Sequence, residues 1–338
     1  MTWTVRRGWL GLPVGALLAL AMGAGPGEAA QKIVIKFGYV PPAAFPYHDG
    51  GLKFKEEAER RTGGRVEVQL FPGGQLGGER DMAEGIRLGT LQMGVGAGAV
   101  AQFAPVYNLV ELPFLIGGQA HMQRIAAGEA GRAMADLIEK QAGFRVLGWF
   151  STGDSAIETA GKPVRKPEDL QGVKIRVMEN PALVDSLKAL GANPTPIPYP
   201  ELYTSLKQGV VDGAHVDMMS VTTLKLHEVI KYITDPRQVA FLAEPRPAFI
   251  SAKFYSGLPG DIQRALQEAM DVAAKYQRQV FFDKQARAIE ELKKAGVTFT
   301  EIDREAFVAK LKPVWASYAK KLGPEAERIL RLIQEAGR

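Results

Sequence analysis

Residues 32–71 read KIVIKFGYVPPAAFPYHDGGLKFKEEAERRTGGRVEVQLF, and this stretch decides the fold class. From Lys32 to Phe37, Ile33, Ile35 and Phe37 alternate with Lys32, Val34 and Lys36, the two-residue period of a strand. Leu52 to Arg61 has helical character, and Thr62-Gly63-Gly64 stops it. Val66, Val68 and Leu70 alternate again until the turn at Phe71-Pro72-Gly73-Gly74. A strand, a helix and a second strand in succession predict an α/β fold on a largely parallel sheet.

Downstream, Glu79 to Leu91 predicts a helix and Met93 to Val95 a short buried strand. The same module then restarts. Arg145–Phe150 and Val173–Val177 read as strands, Pro181–Leu190 as a helix, and Thr195–Ile197 as a short strand. Glu201–Gln208 reads as a helix before the apolar run Val210–Val216. Beyond it, Asp261–Lys294, Arg304–Lys321 and Pro324–Ala336 carry helix formers at helical spacing, long enough to brace two lobes. A chain of 338 residues with this doubled pattern predicts two domains.

Upstream, Arg6-Arg7 precede an apolar run from Trp9 to Met22 and the small residues Gly23 to Gly27 and Glu28-Ala29-Ala30. That order is a secretory signal, with cleavage expected near Ala29 or Ala30. The apolar run is short for a membrane span and contains Pro13. The Arg pair suits either the general or the twin-arginine export route. The chain has no cysteine, which excludes disulfides, thiolate metal sites and a lipid anchor on that residue. The net charge of +5 is scattered among Asp and Glu, so it describes a solvated surface rather than a nucleic-acid stripe.

Few residues carry catalytic chemistry. The four histidines, His48, His121, His215 and His227, have no metal-ligand spacing, and His121 and His227 read as solvated positions on charged helices. Gly94-Val95-Gly96-Ala97-Gly98-Ala99 fits a loose dinucleotide fingerprint, but Pro105 interrupts the helix it would need. The run reads better as a strand end whose backbone approaches something closely. No cofactor and no metal are expected. In Gly172 to Val177, alternation puts Lys174, Arg176 and Met178 on one face. An arginine there either takes a ligand carboxylate with its planar fork or pairs with a neighbouring Asp or Glu.

These segments resemble the solute-binding proteins of tripartite ATP-independent periplasmic (TRAP) transporters, of the C4-dicarboxylate-binding DctP type. The resemblance runs through Phe71-Pro72-Gly73-Gly74-Gln75-Leu76-Gly77, Leu112-Pro113-Phe114-Leu115 and Lys166-Pro167-Glu168-Asp169-Leu170-Gln171-Gly172-Val173-Lys174-Ile175-Arg176-Val177. It continues in Glu201-Leu202-Tyr203 and Gln208-Gly209-Val210-Val211-Asp212-Gly213. It implies a two-lobed periplasmic binding protein fold with hinge-crossing strands and a long bracing helix. Residues 1–30 are then the signal peptide, 31–152 with 242–281 one lobe, and 153–241 with 282–338 the other.

The resemblance further implies that Arg176 binds the ligand carboxylate. The expected partners are a small organic acid and the membrane permease subunits of a TRAP transporter, with no nucleic acid and a periplasmic location. Val216 stands where many relatives place a ligand-contacting Asn, and Gly153-Asp154-Ser155-Ala156 where many carry a second ligand-facing Arg. The remaining candidate site residues are Phe45, Tyr47 and His48 in the loop after the first strand, with Phe150, Asp154, Ser155, Asp217 and Met218. Ordinary packing is the alternative for the aromatic and Met positions. One supported cation, Arg176, predicts a monocarboxylate with an apolar or lightly hydroxylated body rather than a dianion or sugar acid, unless Lys174, Arg246, Tyr199 or a metal ion supplies more. A sensing subunit using the same cleft, or an enzyme using Asp154, His215 or Asp217 as acid or base, are the competing readings.

Intact-mass measurement of the exported protein should give a chain beginning near Ala30 or Gln31; a mass that retains residues 1–28 would overturn the signal-peptide reading.

Overall fold

The structure, a computed structural model, describes residues 32–96 and 98–337. The expected signal sequence and cleavage point lie outside them. The first part of the chain forms β1 (Ile33–Gly38), α1 (Pro46–Arg61), β2 (Val66–Phe71), α2 (Glu79–Leu88), β3 (Met93–Val95), α3 (Val100–Phe103), α4 (Gln119–Ala127), α5 (Glu129–Ala142) and β4 (Phe144–Ser151). The middle adds β5 (Ser155–Thr159), β6 (Lys174–Val177), α6 (Pro181–Ala189), β7 (Asn193–Pro196), α7 (Leu202–Lys207), β8 (Gly213–Asp217), α8 (Met218–Thr223) and β9 (Tyr232–Thr234). The last part holds β10 (Pro245–Ser251), α9 (Ala252–Ser256), α10 (Gly260–Lys294), β11 (Thr298–Thr300), α11 (Arg304–Leu322) and α12 (Pro324–Ala336).

The strands make two sheets, in the orders β2-β1-β3-β10-β4 and β11-β9-β5-β8-β6-β7. β1 runs parallel to β2 and β3, and β6 parallel to β7 and β8, as strand–helix–strand modules require. β5 and β10 are the exceptions. β5 follows β4 after three residues and lies antiparallel to β8 and β9, whereas β10 returns to the first sheet antiparallel to β3 and β4. Both are strands on which the chain changes sheet, so no crossover helix turns them around. Pro245 and Pro247 hide β10 from a sequence reading, since proline lacks the ladder donor. Pairing with β3 begins only at Ala248 opposite Val95, beyond both prolines.

Pro46 occupies the first turn of α1, where its missing N–H costs nothing, so the helix begins earlier than expected. Tyr47 and His48 therefore sit on the first turn of α1 rather than in a loop. His121 differs from the expected solvated position. It is buried, its Nδ1 accepts from the Gly117 N–H at 3.0 Å, and its Nε2 donates to the Ile333 carbonyl at 2.6 Å. The imidazole ties α4 to α12, and desolvation holds its pKa below the ordinary value.

Where β4 passes into β5, the backbone leaves one sheet before joining the other, and the 35-residue α10 covers the gap. The Gln277 side chain accepts from the Ser151 N–H and donates to the Ser151 carbonyl, both at 2.9 Å. Gln285 Oε1 accepts from the Asp154 N–H at 3.0 Å, and Gln119 donates to Asp154 Oδ1 at 3.1 Å. Gly153 lies between with φ 72°, and a Cβ there would come within 1.9 Å of Gln285 Oε1 and 2.5 Å of Phe281.

Gly153→Ala combines that collision with a left-handed backbone, so we expect about 2–4 kcal/mol of lost stability, read as a lower urea midpoint. Asp154 gives a pH-dependent test. Burial pushes its carboxyl up to about 6 against the Gln119 hydrogen bond, from 3.8. A raised carboxyl binds its proton more tightly folded than unfolded, so its contribution is favourable at low pH and is lost as pH rises from about 4 to about 6. The stability of the parent minus that of Asp154→Asn should fall by roughly 1–2 kcal/mol between pH 4 and pH 7, allowing for partial exposure. A flat difference in urea titrations would refute it.

Candidate functional site

A cavity of about 320 Å³ lies between the strand ends of the two sheets, the usual place for a ligand in open α/β sheets. Phe45 and Tyr47 enter it from the β1–α1 side, Gly78 to Asp81 from the start of α2, and Thr152 and Ser155 from the crossing. The second sheet contributes Arg176, His215, Val216 and Asp217, the segments after β6 and β7 contribute Met178 and Tyr199, and the start of the returning strand contributes Glu244 and Arg246. Gly98 explains part of the glycine run. A Cβ on it would come within 2.9 Å of Met178 Sδ and 3.1 Å of Asn180, so the glycine lets the first sheet's loop meet the second lobe.

Arg176 stands in β6 and is 2% exposed. Its Nε donates to the Ile197 carbonyl at 2.9 Å, which orients the guanidinium, and among the described residues no carboxylate forms an ion pair with it. The register carries Glu158, Ala214 and Arg176 in one row across β5, β8 and β6. Ala214 keeps the row's two polar members apart. Burial drives Glu158 well above the usual carboxyl range, and its Oε2 accepts from the Val216 N–H at 3.1 Å. Burial likewise pushes Arg176 down to about 10, with Glu79, Tyr199 and Glu158 opposing, so it stays charged near neutrality. Lys174, expected on the same face, is at the outer end of β6 and reaches the Gly209 carbonyl at 3.1 Å instead.

Around Arg176 the polar groups are mostly engaged. Tyr199 Oη donates to Ser220 Oγ at 3.1 Å, and Ser220 Oγ donates to Asp217 Oδ2 at 2.6 Å. Asp217 also caps α8, accepting from the Ser220 N–H at 2.9 Å, and burial raises it to about 6. The Ser155 hydroxyl donates to the Leu242 carbonyl at 3.1 Å, which assigns the proton of the 2.8 Å contact to His215 Nε2. Desolvation, then Arg176 and Arg246, hold His215 well below its ordinary pKa. A serine that donates elsewhere beside a histidine with no acidic partner is not an activated nucleophile.

Of the candidate residues, Arg176, Phe45, Tyr47, Ser155, Val216 and Asp217 line the cavity. His48 does not; its Nδ1 is hydrogen-bonded to Tyr39 Oη at 2.6 Å. Phe150 is buried behind Tyr47 with ring centroids 6.0 Å apart, Met218 is buried at the start of α8, and Asp154 belongs to the crossing network. Glu79, Thr152 and Glu244 escape sequence reasoning. Only Glu79 carries a signal, as the first residue of a helix directly after Gly77-Gly78. Arg246 is held by two carboxylates, Glu111 Oε1 at 3.1 Å and Glu244 Oε2 at 2.5 Å. Among the described residues no cluster of His, Asp and Glu suits a metal ion, and no helix is long and apolar enough to cross a membrane.

Comparison with known proteins agrees with this architecture. The family model described as bacterial extracellular solute-binding protein, family 7 (DctP) matches residues 37–321. The C4-dicarboxylate-binding periplasmic protein DctP of Rhodobacter capsulatus is 31% identical over 94% of this chain and 95% of its own length. Among solved structures, a TRAP periplasmic solute-binding protein from Sulfitobacter with bound β-D-galacturonate superposes with a TM-score of 0.84 at 31% identity, covering 89% of this chain and 99% of that one. Another from Polaromonas, bound to D-erythronate, gives 0.83 at 30% identity and covers 90% and 98%. With its two lobes and a cavity between them, the chain belongs to the DctP family of bacterial extracellular solute-binding proteins of TRAP transporters and is a binding protein, not an enzyme.

Proposed function

We propose that this chain, after export and removal of its signal peptide, captures a small organic monocarboxylate between its lobes and hands it to the membrane subunits of a TRAP permease. The observation that carries this reading is Arg176. A guanidinium 2% exposed, anchored only through Nε to a neutral carbonyl, keeps its terminal nitrogens and its whole charge for a guest. A carboxylate taken there would receive two parallel charge-assisted hydrogen bonds. The cavity of about 320 Å³ suits an acid of a few carbons.

The walls bear on the solute's body. Phe45, Tyr47 and Val216 offer apolar faces to a carbon skeleton, with Phe45 and Tyr47 packed edge to face at 4.9 Å. Glu79, Thr152, Tyr199 and Glu244 share the lining, which extends the proposal from lightly hydroxylated acids to polyhydroxy monoacids. Relatives bound to galacturonate and to erythronate support that extension.

A thermal-shift panel of organic acids on the mature protein, followed by calorimetry on the best binder, tests the reading. Arg176→Ala should weaken that acid by about 2–5 kcal/mol, and Arg176→Lys should recover only part of it. Parent-like affinity in Arg176→Ala would overturn the assignment.

A further inference from the structure

Two buried arginines face the cavity, and they are in opposite electrostatic conditions. Arg176 has a backbone carbonyl for its only described partner. Arg246, on β10, divides its guanidinium between two carboxylates from different parts of the chain. Its NH1 meets Glu111 at 3.1 Å and its NH2 meets Glu244 at 2.5 Å. Both acids are at most 1% exposed, and Thr152 Oγ1 donates to Glu244 Oε2 at 3.3 Å. Glu111 Oε2, Glu244 Oε1 and Arg246 Nε have no partner among the described residues. Burial, reinforced by Glu244, drives the Glu111 carboxyl well above its ordinary range. With two acids in contact with one guanidinium, the charge of Arg246 is already matched within the protein and is not left for a guest.

We infer that Glu244, backed by Glu111, is a specificity determinant: by neutralising Arg246 it leaves Arg176 as the one unpaired buried cation among the described lining residues and excludes solutes with a second carboxylate. This rests on the proposed capture of a carboxylate by Arg176. A solute reaching from Arg176 to Arg246 meets the Glu244 carboxylate. A hydroxyl at its far end can donate to that oxygen, whereas a second carboxylate meets like charge in a site where water cannot screen it. Arg80, the remaining lining arginine, is solvent-exposed and does not change the balance inside.

The test uses matched acids that differ only by oxidation of the terminal CH2OH: D-erythronate against meso-tartrate, and L-galactonate against galactarate. Calorimetry or competitive thermal shift on the mature parent should favour the monoacid of each pair at least tenfold. Glu244→Gln, nearly isosteric but uncharged, should move the ratio at least tenfold towards the diacid. If the parent binds neither acid of a pair, a diacid gained by Glu244→Gln still supports the inference, and no gain overturns it. Glu244→Met, of similar length and uncharged, should shift the ratio in the same direction, and it decides the matter if circular dichroism shows Glu244→Gln unfolded. A parent that prefers diacids, or variants that weaken both acids of a pair equally, would refute the inference. Arg176→Ala on the same acids separates the two readings. If it abolishes binding of both acids while the parent prefers the diacid, only the role of Glu244 fails; if it abolishes neither, the carboxylate site itself is misplaced.

Discussion

The amide of Gln277 does for Ser151 what a neighbouring strand would do, accepting its N–H and donating to its carbonyl at 2.9 Å each. A chain that leaves one sheet and enters another must pass through a stretch with no ladder on either side, and buried peptide groups there need partners. Gln277 and Gln285 supply them from α10, while Gln119 of α4 holds the Ser151 and Asp154 side chains. The two sheets are thereby held at a separation that leaves a cavity between their strand ends. Gly50 on α1 admits this arrangement, since a Cβ there would collide with Phe150 at 2.7 Å and Gln277 at 2.8 Å.

Within that frame the binding chemistry is a matter of which charges are already paired. Arg176 sits in a row with Glu158 but is kept from it by Ala214, and burial drives the Glu158 carboxyl well above its ordinary range. Arg246 is enclosed by its two acids. Burying an arginine without a carboxylate is costly, and the fold bears that cost at Arg176. On the proposed reading, such an uncompensated group is what a solute relieves on binding.

Much of the fold was legible from residue patterns. The alternations at Ile33–Phe37 and Val66–Leu70, the helix between them and the long charged helix near the end appear as β1, β2, α1 and α10 within a few residues. β5 and β10 were not legible, because β5 is short and buried throughout, without a solvent face to alternate, and β10 begins with Pro245 and Pro247. Arg176 stood out as a candidate because its strand presents it beside Met178, but spacing left a ligand or a neighbouring acid as its partner, and only the family resemblance favoured the ligand. The Arg246 cluster could not, because 135 residues separate Arg246 from Glu111 and only the sheet-changing path of the chain brings them together. His121 was misread because its charged neighbours on α4 describe the helix's outer face, whereas the imidazole points under α12.

The contact of Gly98 with Met178 and Asn180 has a kinetic side. It sets a bare backbone close to a thioether and a methylene beside the cavity, whose lining includes Ala99 and Met178, without a described hydrogen bond or ion pair across it. A latch of that kind contributes little free energy to holding the lobes together, so the shut state is as durable as the solute's own contacts make it. Residence time then follows the fit of the captured molecule.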